Sequence, residues 1–292
     1  MQKLTLAQKN GLIGWLFLSV GALMIAWMSF FPMINGFFIA LQTGAGVNMR
    51  FAGLVNFQRL PLDPLFRGVI SNNFLYLAIQ VPIMLVSALV LASMLNSPRL
   101  KLKGFYRTCI FLPCATSLVS SAVIFRSLFS VDGYINTMLV NLGILESSFN
   151  FLGNTWSARM VLIIAITWRW TGFNMVFYLA GLQNIERSIF EAARIDGAGV
   201  VQTFFKITIP LLKPIILLTA IMATNGTLQL FDESVNLTQG GPANTSMTIS
   251  HYIFDVGFQG TANFGYAAAL SYVVFALVAT LSLIQLKVVD RR

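Results

Sequence analysis

Charged side chains are scarce in this sequence. Only 10% of the 292 residues are charged, whereas 57% are hydrophobic and 25 are phenylalanine. A soluble domain usually carries about a quarter charged residues, so too few polar side chains are present to cover a water-facing surface of this size. The composition therefore excludes an ordinary soluble domain and predicts that lipid covers much of the surface.

Residue types that carry catalysis or bind metals and nucleotides are also scarce. His251 is the only histidine, which excludes a His-based metal cluster. No Gly-rich segment ends in Gly-Lys-Ser or Gly-Lys-Thr, the pattern that cradles phosphates, and residues 240–242 (Gly-Gly-Pro) indicate a turn. The two cysteines, Cys109 and Cys114, point in different directions on a helix and are predicted to be buried, unbridged thiols. The sequence predicts no catalytic centre and no metal site.

The net charge of +9 does not indicate a nucleic-acid partner. Basic residues occur in small groups between long apolar runs, whereas a nucleic-acid-binding protein concentrates them in a patch with interleaved aromatics. Scattered basic groups are typical of the loops of a membrane protein.

Six apolar runs are long enough to cross a hydrocarbon core of roughly 30 Å, which requires about 20 helical residues. The sequence therefore predicts an all-α membrane protein that forms one transmembrane domain over residues 1–292. The runs cover residues 12–41, 73–95, 108–129, 160–182, 214–231 and 266–286.

Basic residues are distributed asymmetrically around these runs. If the N terminus is cytoplasmic, thirteen of the nineteen Lys and Arg residues fall on the inner side, as the positive-inside rule requires. Both termini are therefore predicted to be cytoplasmic.

The longest inner segment, residues 183–213, has apolar residues at regular spacing and is predicted to be folded. One short helix is predicted over residues 185–198, ended by Gly197 and Gly199. A second is predicted over residues 200–208, ended by Pro210.

Carboxylates are absent from the centres of the six runs. An ion-coupled carrier usually buries such groups at mid-membrane, and a polytopic enzyme would require a catalytic cluster. Both classes remain alternatives to an energy-coupled transport subunit, and an ion channel is a third, although no loop offers a selectivity filter.

One motif is specific. Residues 191–198 read Glu-Ala-Ala-Arg-Ile-Asp-Gly-Ala and are followed by Gln202, Phe204, residues 207–210 (Ile-Thr-Ile-Pro) and Pro214. The pattern resembles the EAA loop of ABC importer permeases, and it lies before the penultimate apolar run, where that family carries it.

Three further segments resemble the carbohydrate branch of that family. They are residues 51–57 (Phe-Ala-Gly-Leu-Val-Asn-Phe), 168–172 (Trp-Arg-Trp-Thr-Gly) and 237–242 (Leu-Thr-Gln-Gly-Gly-Pro). The first of these resembles the first of two unlike permeases, the type related to the maltose and lactose permeases. The chain departs from the pattern at residues 199–201, where the family commonly has an aromatic residue, and it has no room for a large outer domain. These departures leave the identity of the sugar open.

The resemblance implies an ABC importer type I permease fold with six transmembrane helices and a cytoplasmic coupling loop, in a bacterial or archaeal plasma membrane. The implied partners are a second permease that completes a heterodimer, two cytoplasmic ATPase subunits that bind ATP and Mg, and an extracytoplasmic solute-binding protein. This chain would itself be no enzyme and carry no cofactor. Residues that would contact the ATPase are Glu191, Ala192, Ala193, Asp196, Gly197 and Ala198.

Polar side chains within the spans are candidates for a substrate pathway, because each must face protein or water rather than lipid. In the fifth span these are Thr224, Asn225 and Gln229. Asn225 and Gln229 lie four residues apart and offer amide groups for sugar hydroxyls. The alternative is that they bind neighbouring helices.

In the fourth span, Trp170 and Asn174 are candidate pathway residues, because aromatic faces suit the apolar faces of pyranose rings. Arg169 lies beside them as a cation at membrane depth. It is predicted to pair with backbone carbonyls, with a carboxylate from an outer loop or with a water-filled vestibule, and a structural role is favoured over substrate contact.

Overall fold

The computed structural model describes residues 5–44, 48–97 and 100–290, and most of this part is helical. A two-stranded hairpin pairs β1 (Gln42–Thr43) with β2 (Arg50–Phe51). The α-helices are α1 (Leu6–Ile25), α2 (Phe31–Ala40), α3 (Val55–Arg59), α4 (Pro64–Asn96), α5 (Lys103–Ala115), α6 (Leu118–Leu128), α7 (Tyr134–Asn141), α8 (Thr155–Gln183), α9 (Arg187–Ile195), α10 (Val200–Thr203), α11 (Ile209–Leu228), α12 (Ile249–Phe258) and α13 (Phe264–Asp290).

Five helical stretches in the described residues are long and apolar enough to cross a membrane, or six if α5 and α6 together form one span. Short π-helical turns connect several of the helices. They are Ala26–Phe30 between α1 and α2, Phe204–Thr208 between α10 and α11, and Ser234–Thr238 after α11.

The third span differs from the single helix expected over residues 108–129. It is divided into α5 and α6, whose axes meet at 97°. Pro113 lies in the last turn of α5, and both Thr116 and Ser117 adopt extended backbone conformations. Proline disrupts a helix interior because it lacks an N–H group and its ring crowds the preceding turn. Periodicity and hydropathy do not register such a break.

The second cytoplasmic helix was also expected to end at Pro210, and this expectation is wrong. Residues Val200–Leu228 form one continuous helical stretch, in which a π turn immediately precedes α11. Pro210 is the second residue of α11, which directly follows this π turn, so the helical stretch continues through the proline. The expectation that both cysteines are buried is wrong as well, since Cys109 is exposed, although both thiols are free.

The described chain divides into two compact units. One unit comprises residues up to Leu62 together with Ile253–Tyr272. In it, the buried Asn56 side chain donates to the carbonyls of Ala40 (2.8 Å) and Gln42 (2.7 Å). These bonds fix α3 to the end of α2 and to the hairpin.

The second unit, Asp63–Tyr252 with residues from Val273, contains the main core. In it α4 and α8 pack along one another, and α5 and α11 pack against this pair. Asp63 caps α4 through Leu65 N (2.9 Å), and Asn154 caps α8 through Trp156 N (3.1 Å), as residues of this type do at helix starts. Two clusters of buried apolar side chains fill the core, one around Leu162 and one around Met175.

Candidate functional site

The loop that carries the EAA-like motif is a short helix followed by a glycine turn. The backbone N–H of Ala198 donates to the carbonyl of Ala193 (2.9 Å), and that of Gly197 donates to the carbonyl of Arg194 (3.1 Å). Gly197 has φ = +78°. This is a Schellman termination, in which a glycine in the left-handed region ends the helix.

The surface of this loop combines apolar and acidic side chains. Ile195 and Val200 are 86% and 88% exposed, and the Glu191 and Asp196 carboxylates are exposed beside them. Ala193 is buried, Ala198 is half-buried and Ala192 is exposed. Large aliphatic side chains at this level of exposure are suited to contact with another surface.

A second set of polar residues lies on one face of α4 and holds the segment that follows α11. Asn73 Nδ2 donates to the Leu228 carbonyl (3.0 Å), and Asn73 Oδ1 accepts from Ile249 N (3.0 Å). Asn72 Nδ2 donates to the Met247 carbonyl (2.9 Å). This α4 ladder, which we define as Asn72, Asn73, Tyr76 and Gln80, is almost fully buried.

The rest of the α4 ladder completes this attachment. Tyr76 Oη donates to the Ser246 carbonyl (3.1 Å), and Gln80 Oε1 accepts from Thr227 Oγ1 (3.0 Å). The apolar pattern of the sequence places Asn73 only at the boundary of a predicted span and does not by itself identify the ladder. Polar residues at positions 72, 73, 76 and 80 of a long apolar run share one helix face, and this spacing was the available signal.

The candidate pathway residues of the fifth span fall on two faces of α11. Thr224 is buried and accepts from Gln285 Nε2 of α13 (2.8 Å), so it serves helix packing. Asn225 and Gln229 are exposed, and the Gln229 amide donates to Asn225 Oδ1. Gln229 lies at the C-cap of α11 rather than within the helix. Thr224 is thus separated from the two amides.

The fourth-span candidates are mostly engaged within the chain. Asn174 is buried, and its Nδ2 donates to the Trp170 carbonyl (2.9 Å). Trp170 is half-buried and packs edge-on against Phe173. An amide that donates to a backbone carbonyl of its own helix stabilises that helix and is not free to bind a ligand.

Arg169 lies halfway along α8 and is 5% exposed. Its guanidinium donates to the Thr116 carbonyl (2.6 Å) and to Ser121 Oγ (2.9 Å). Both acceptors flank the break between α5 and α6. The C-terminal carbonyls of a helix carry partial negative charge, so the cation stabilises the end of α5.

Glu233, on the segment after α11, lies within electrostatic reach of Arg169. Burial raises the pKa of the Glu233 carboxyl, and a hydrogen bond from its own backbone N–H, the Arg169 charge and a hydrogen bond from the Trp170 side chain oppose this rise. Glu233 was not singled out from the sequence. A carboxylate from an outer loop was one of three partners predicted for Arg169. If both termini are cytoplasmic, the connection between the fifth and sixth spans, which contains Glu233, is such a loop.

Comparison with known proteins shows which family and which proteins this chain resembles. The family model for binding-protein-dependent transport system inner membrane components matches residues 84–292. The lactose transport system permease protein LacF of Rhizobium radiobacter is 47% identical over 93% of this chain and 92% of that protein. The arabinooligosaccharides transport system permease protein AraP of Bacillus subtilis is 31% identical over 88% of this chain and 82% of that protein.

A solved structure has the same fold. A chain of a bacterial ABC transporter involved in the import of the acidic polysaccharide alginate superposes with a TM-score of 0.85 at 24% identity, over 97% of this chain and 96% of that one. A second structure, the bacterial alginate ABC transporter in complex with an alginate pentasaccharide-bound periplasmic protein, gives a TM-score of 0.82 at 23% identity.

Proposed function

Since this chain belongs to the family of binding-protein-dependent transport system inner membrane components, we propose that it is one of two permease subunits of an ATP-driven importer. The cargo is a carbohydrate, which crosses the plasma membrane by alternating access. Named relatives that move lactose and arabinooligosaccharides support this cargo class. They disfavour an ion-coupled carrier and a membrane enzyme.

The proposed complex has four kinds of component. A second permease forms a heterodimer with this chain, two cytoplasmic ATPase subunits bind ATP and Mg, and an extracytoplasmic binding protein delivers the sugar. The alginate transporter held with a sugar-bound periplasmic protein supports the last of these. Both termini and the 183–213 loop lie in the cytoplasm, in agreement with the inner-side excess of basic residues.

The cytoplasmic loop is the proposed contact with the ATPase. Of the predicted contact residues, Ala193 is buried within this chain, and the others form a helix end that presents exposed carboxylates and small side chains. These others are Glu191, Ala192, Asp196, Gly197 and Ala198. The adjacent Ile195 and Val200 supply apolar contact area.

One observation on α11 carries the pathway assignment. Asn225 and Gln229 are exposed at the end of an apolar helix, and exposed amides are costly against lipid. The opposite face of α11 is fixed by the bonds of Thr224 to Gln285 and of Thr227 to Gln80, so the helix cannot rotate to hide the amides. Water, sugar or the second permease must cover them. We propose a sugar pathway lined by Asn225 and Gln229, with Trp170 of α8 as a candidate aromatic surface.

We expect Asn225→Ala and Gln229→Ala each to reduce sugar uptake by about tenfold, because each removes a hydrogen bond of roughly 1.5 kcal/mol between the pathway and a hydroxyl. Uptake is measured in proteoliposomes that contain the complete complex, together with the binding protein and ATP. Asn141→Ala is the matched control, since Asn141 is an exposed amide at the end of α7.

Assembly of the complex and basal ATP hydrolysis should remain unchanged in these variants. Normal uptake in both α11 variants would remove them from the pathway. Loss of the second permease on purification would instead assign this face to the subunit interface. Stimulation of the wild-type complex by an amino acid or a metal, and not by any sugar, would overturn the carbohydrate assignment.

A further inference from the structure

Arg169 and Glu233 each bury a polar atom that has no hydrogen-bond partner. These atoms are the guanidinium Nε of Arg169 and the carboxylate Oε1 of Glu233. They are complementary, since one is a cationic donor and the other an anionic acceptor. Leaving a buried polar atom unsatisfied is costly, and both side chains are more than nine-tenths buried. The other atoms of each group have partners, which are Thr116 and Ser121 for the guanidinium and the Trp170 side chain for the carboxyl.

The two side chains lie where two irregular segments meet α8. The break between α5 and α6 is held by the η nitrogens of Arg169. Glu233 immediately precedes the π turn Ser234–Thr238, which packs against α6 and α8. Irregular backbone of this kind can shift without the loss of a complete helix.

Resting on the proposed function, we propose that Arg169 Nε and Glu233 Oε1 form a direct ion pair in another state of the transport cycle. Glu233 is then a positioning residue that acts through Arg169. The pair links the break in the third span to the segment after the fifth span, so that both move with α8. In the conformation described here, the guanidinium is directed to Thr116 and Ser121 and the pair is open.

The geometry of the guanidinium allows the ion pair with Glu233 to form. The guanidinium presents five N–H groups in a planar fork, and the bonds of its η nitrogens to the α5–α6 break leave the Nε–H group available. Formation of the pair would satisfy both orphaned atoms without breaking the bonds to Thr116 and Ser121. Because both groups are already removed from water in the open state, the pair forms without a further desolvation cost.

The test is Glu233→Gln in the complete complex, reconstituted in proteoliposomes. The substitution keeps the shape of the side chain and removes its charge. We expect the maximal rate of sugar uptake to fall by about tenfold or more, because a buried charge loses its partner. The apparent KM should stay within about twofold, because ground-state sugar binding is unchanged. Asp232→Asn, one residue away, is the matched control and should transport normally.

A conformational readout separates positioning from simple packing. Hydrogen exchange of residues 229–238 should slow when the wild-type complex is trapped with vanadate, and this slowing should be absent in Glu233→Gln while the resting pattern is unchanged. An altered resting pattern would assign Glu233 to packing and overturn the proposal. A wild-type uptake rate in Glu233→Gln, or an equal loss in Asp232→Asn, would overturn it too.

If Glu233→Gln does not assemble, Glu233→Asp decides the question. It keeps the charge but shortens the reach by one methylene, so we expect assembly with the same reduction of rate at constant KM, and a normal rate would overturn the proposal. If the wild-type complex itself shows no sugar-stimulated ATP hydrolysis, the proposed function fails, whatever the effect of the Glu233 variants.

Discussion

Gly197→Val is expected to reduce both substrate-stimulated ATP hydrolysis and sugar uptake while the spans remain inserted. Gly197 has φ = +78°, a region in which a β-branched side chain is strained by about 1–3 kcal/mol. The chain can relieve this strain only by unwinding the Schellman turn that ends α9. The exposed surface of Glu191, Ile195 and Val200 would then lose its fixed geometry. Substrate-stimulated ATPase activity and uptake should both fall by about tenfold or more, since 1.4 kcal/mol corresponds to a factor of ten.

The matched control for this experiment is Gly199→Val. Gly199 lies two residues further along the same loop and is equally open, because an added Cβ would meet nothing within 4 Å at either position. Its φ of −70°, however, is accessible to every residue. A loss in Gly197→Val with near-normal Gly199→Val would identify backbone conformation as the cause. Equal, normal activity in both variants would remove the coupling role from this loop.

Glu191→Lys tests the same surface through charge. Glu191 is exposed on α9, so the reversal should leave folding intact and weaken retention of the ATPase on purified permease. Retention at the wild-type level, together with wild-type uptake, would contradict an electrostatic contact at this position.

The helices of this protein follow from its sequence to a large extent, because a span of about 20 apolar residues is a strong signal. The Gly197 helix end was also predictable, since glycine is the usual residue at such a position. Other features depend on tertiary contacts. The division of α5 from α6 is stabilised by Arg169 from another helix, and no local pattern encodes that partner.

The candidate pathway shows the same limit. Spacing placed Asn225 and Gln229 on one face of a helix, but the exposure of that face depends on Gln80 of α4 and Gln285 of α13. Asn174 is likewise an amide side chain within an apolar span, but it is buried and donates to the Trp170 carbonyl. Hydrogen-bonding capacity can be read from a side chain, whereas the partner that uses it depends on which helices become neighbours.

Gly172→Ala is expected to be the most destabilising small substitution in α8. A Cβ at this position would lie 2.0 Å from the Ile110 carbonyl oxygen, 2.7 Å from the Ile110 carbonyl carbon and 3.0 Å from Phe111 Cα. Normal C···O contacts are about 3.3–3.6 Å, so α5 and α8 would have to separate by more than about 1 Å. All three obstructing atoms belong to the backbone, and rotation of a side chain cannot relieve the clash.

Gly181→Ala provides the comparison, because it adds the same methyl group to the same helix. There the Cβ would meet the side-chain ends Ile215 Cδ1 (2.3 Å) and Leu212 Cδ2 (2.7 Å), which can change rotamer. We expect Gly172→Ala to lower the stability of the purified complex by roughly 3 kcal/mol, at the upper end of the usual overpacking cost, and Gly181→Ala by about 1 kcal/mol. Melting followed by size-exclusion chromatography in detergent measures the difference.

Because separation of α5 also withdraws Thr116 from Arg169, Gly172→Ala should abolish uptake even at temperatures at which the complex stays assembled. Similar melting temperatures and uptake in the two variants would show that the α5–α8 contact is more adaptable than its backbone geometry requires.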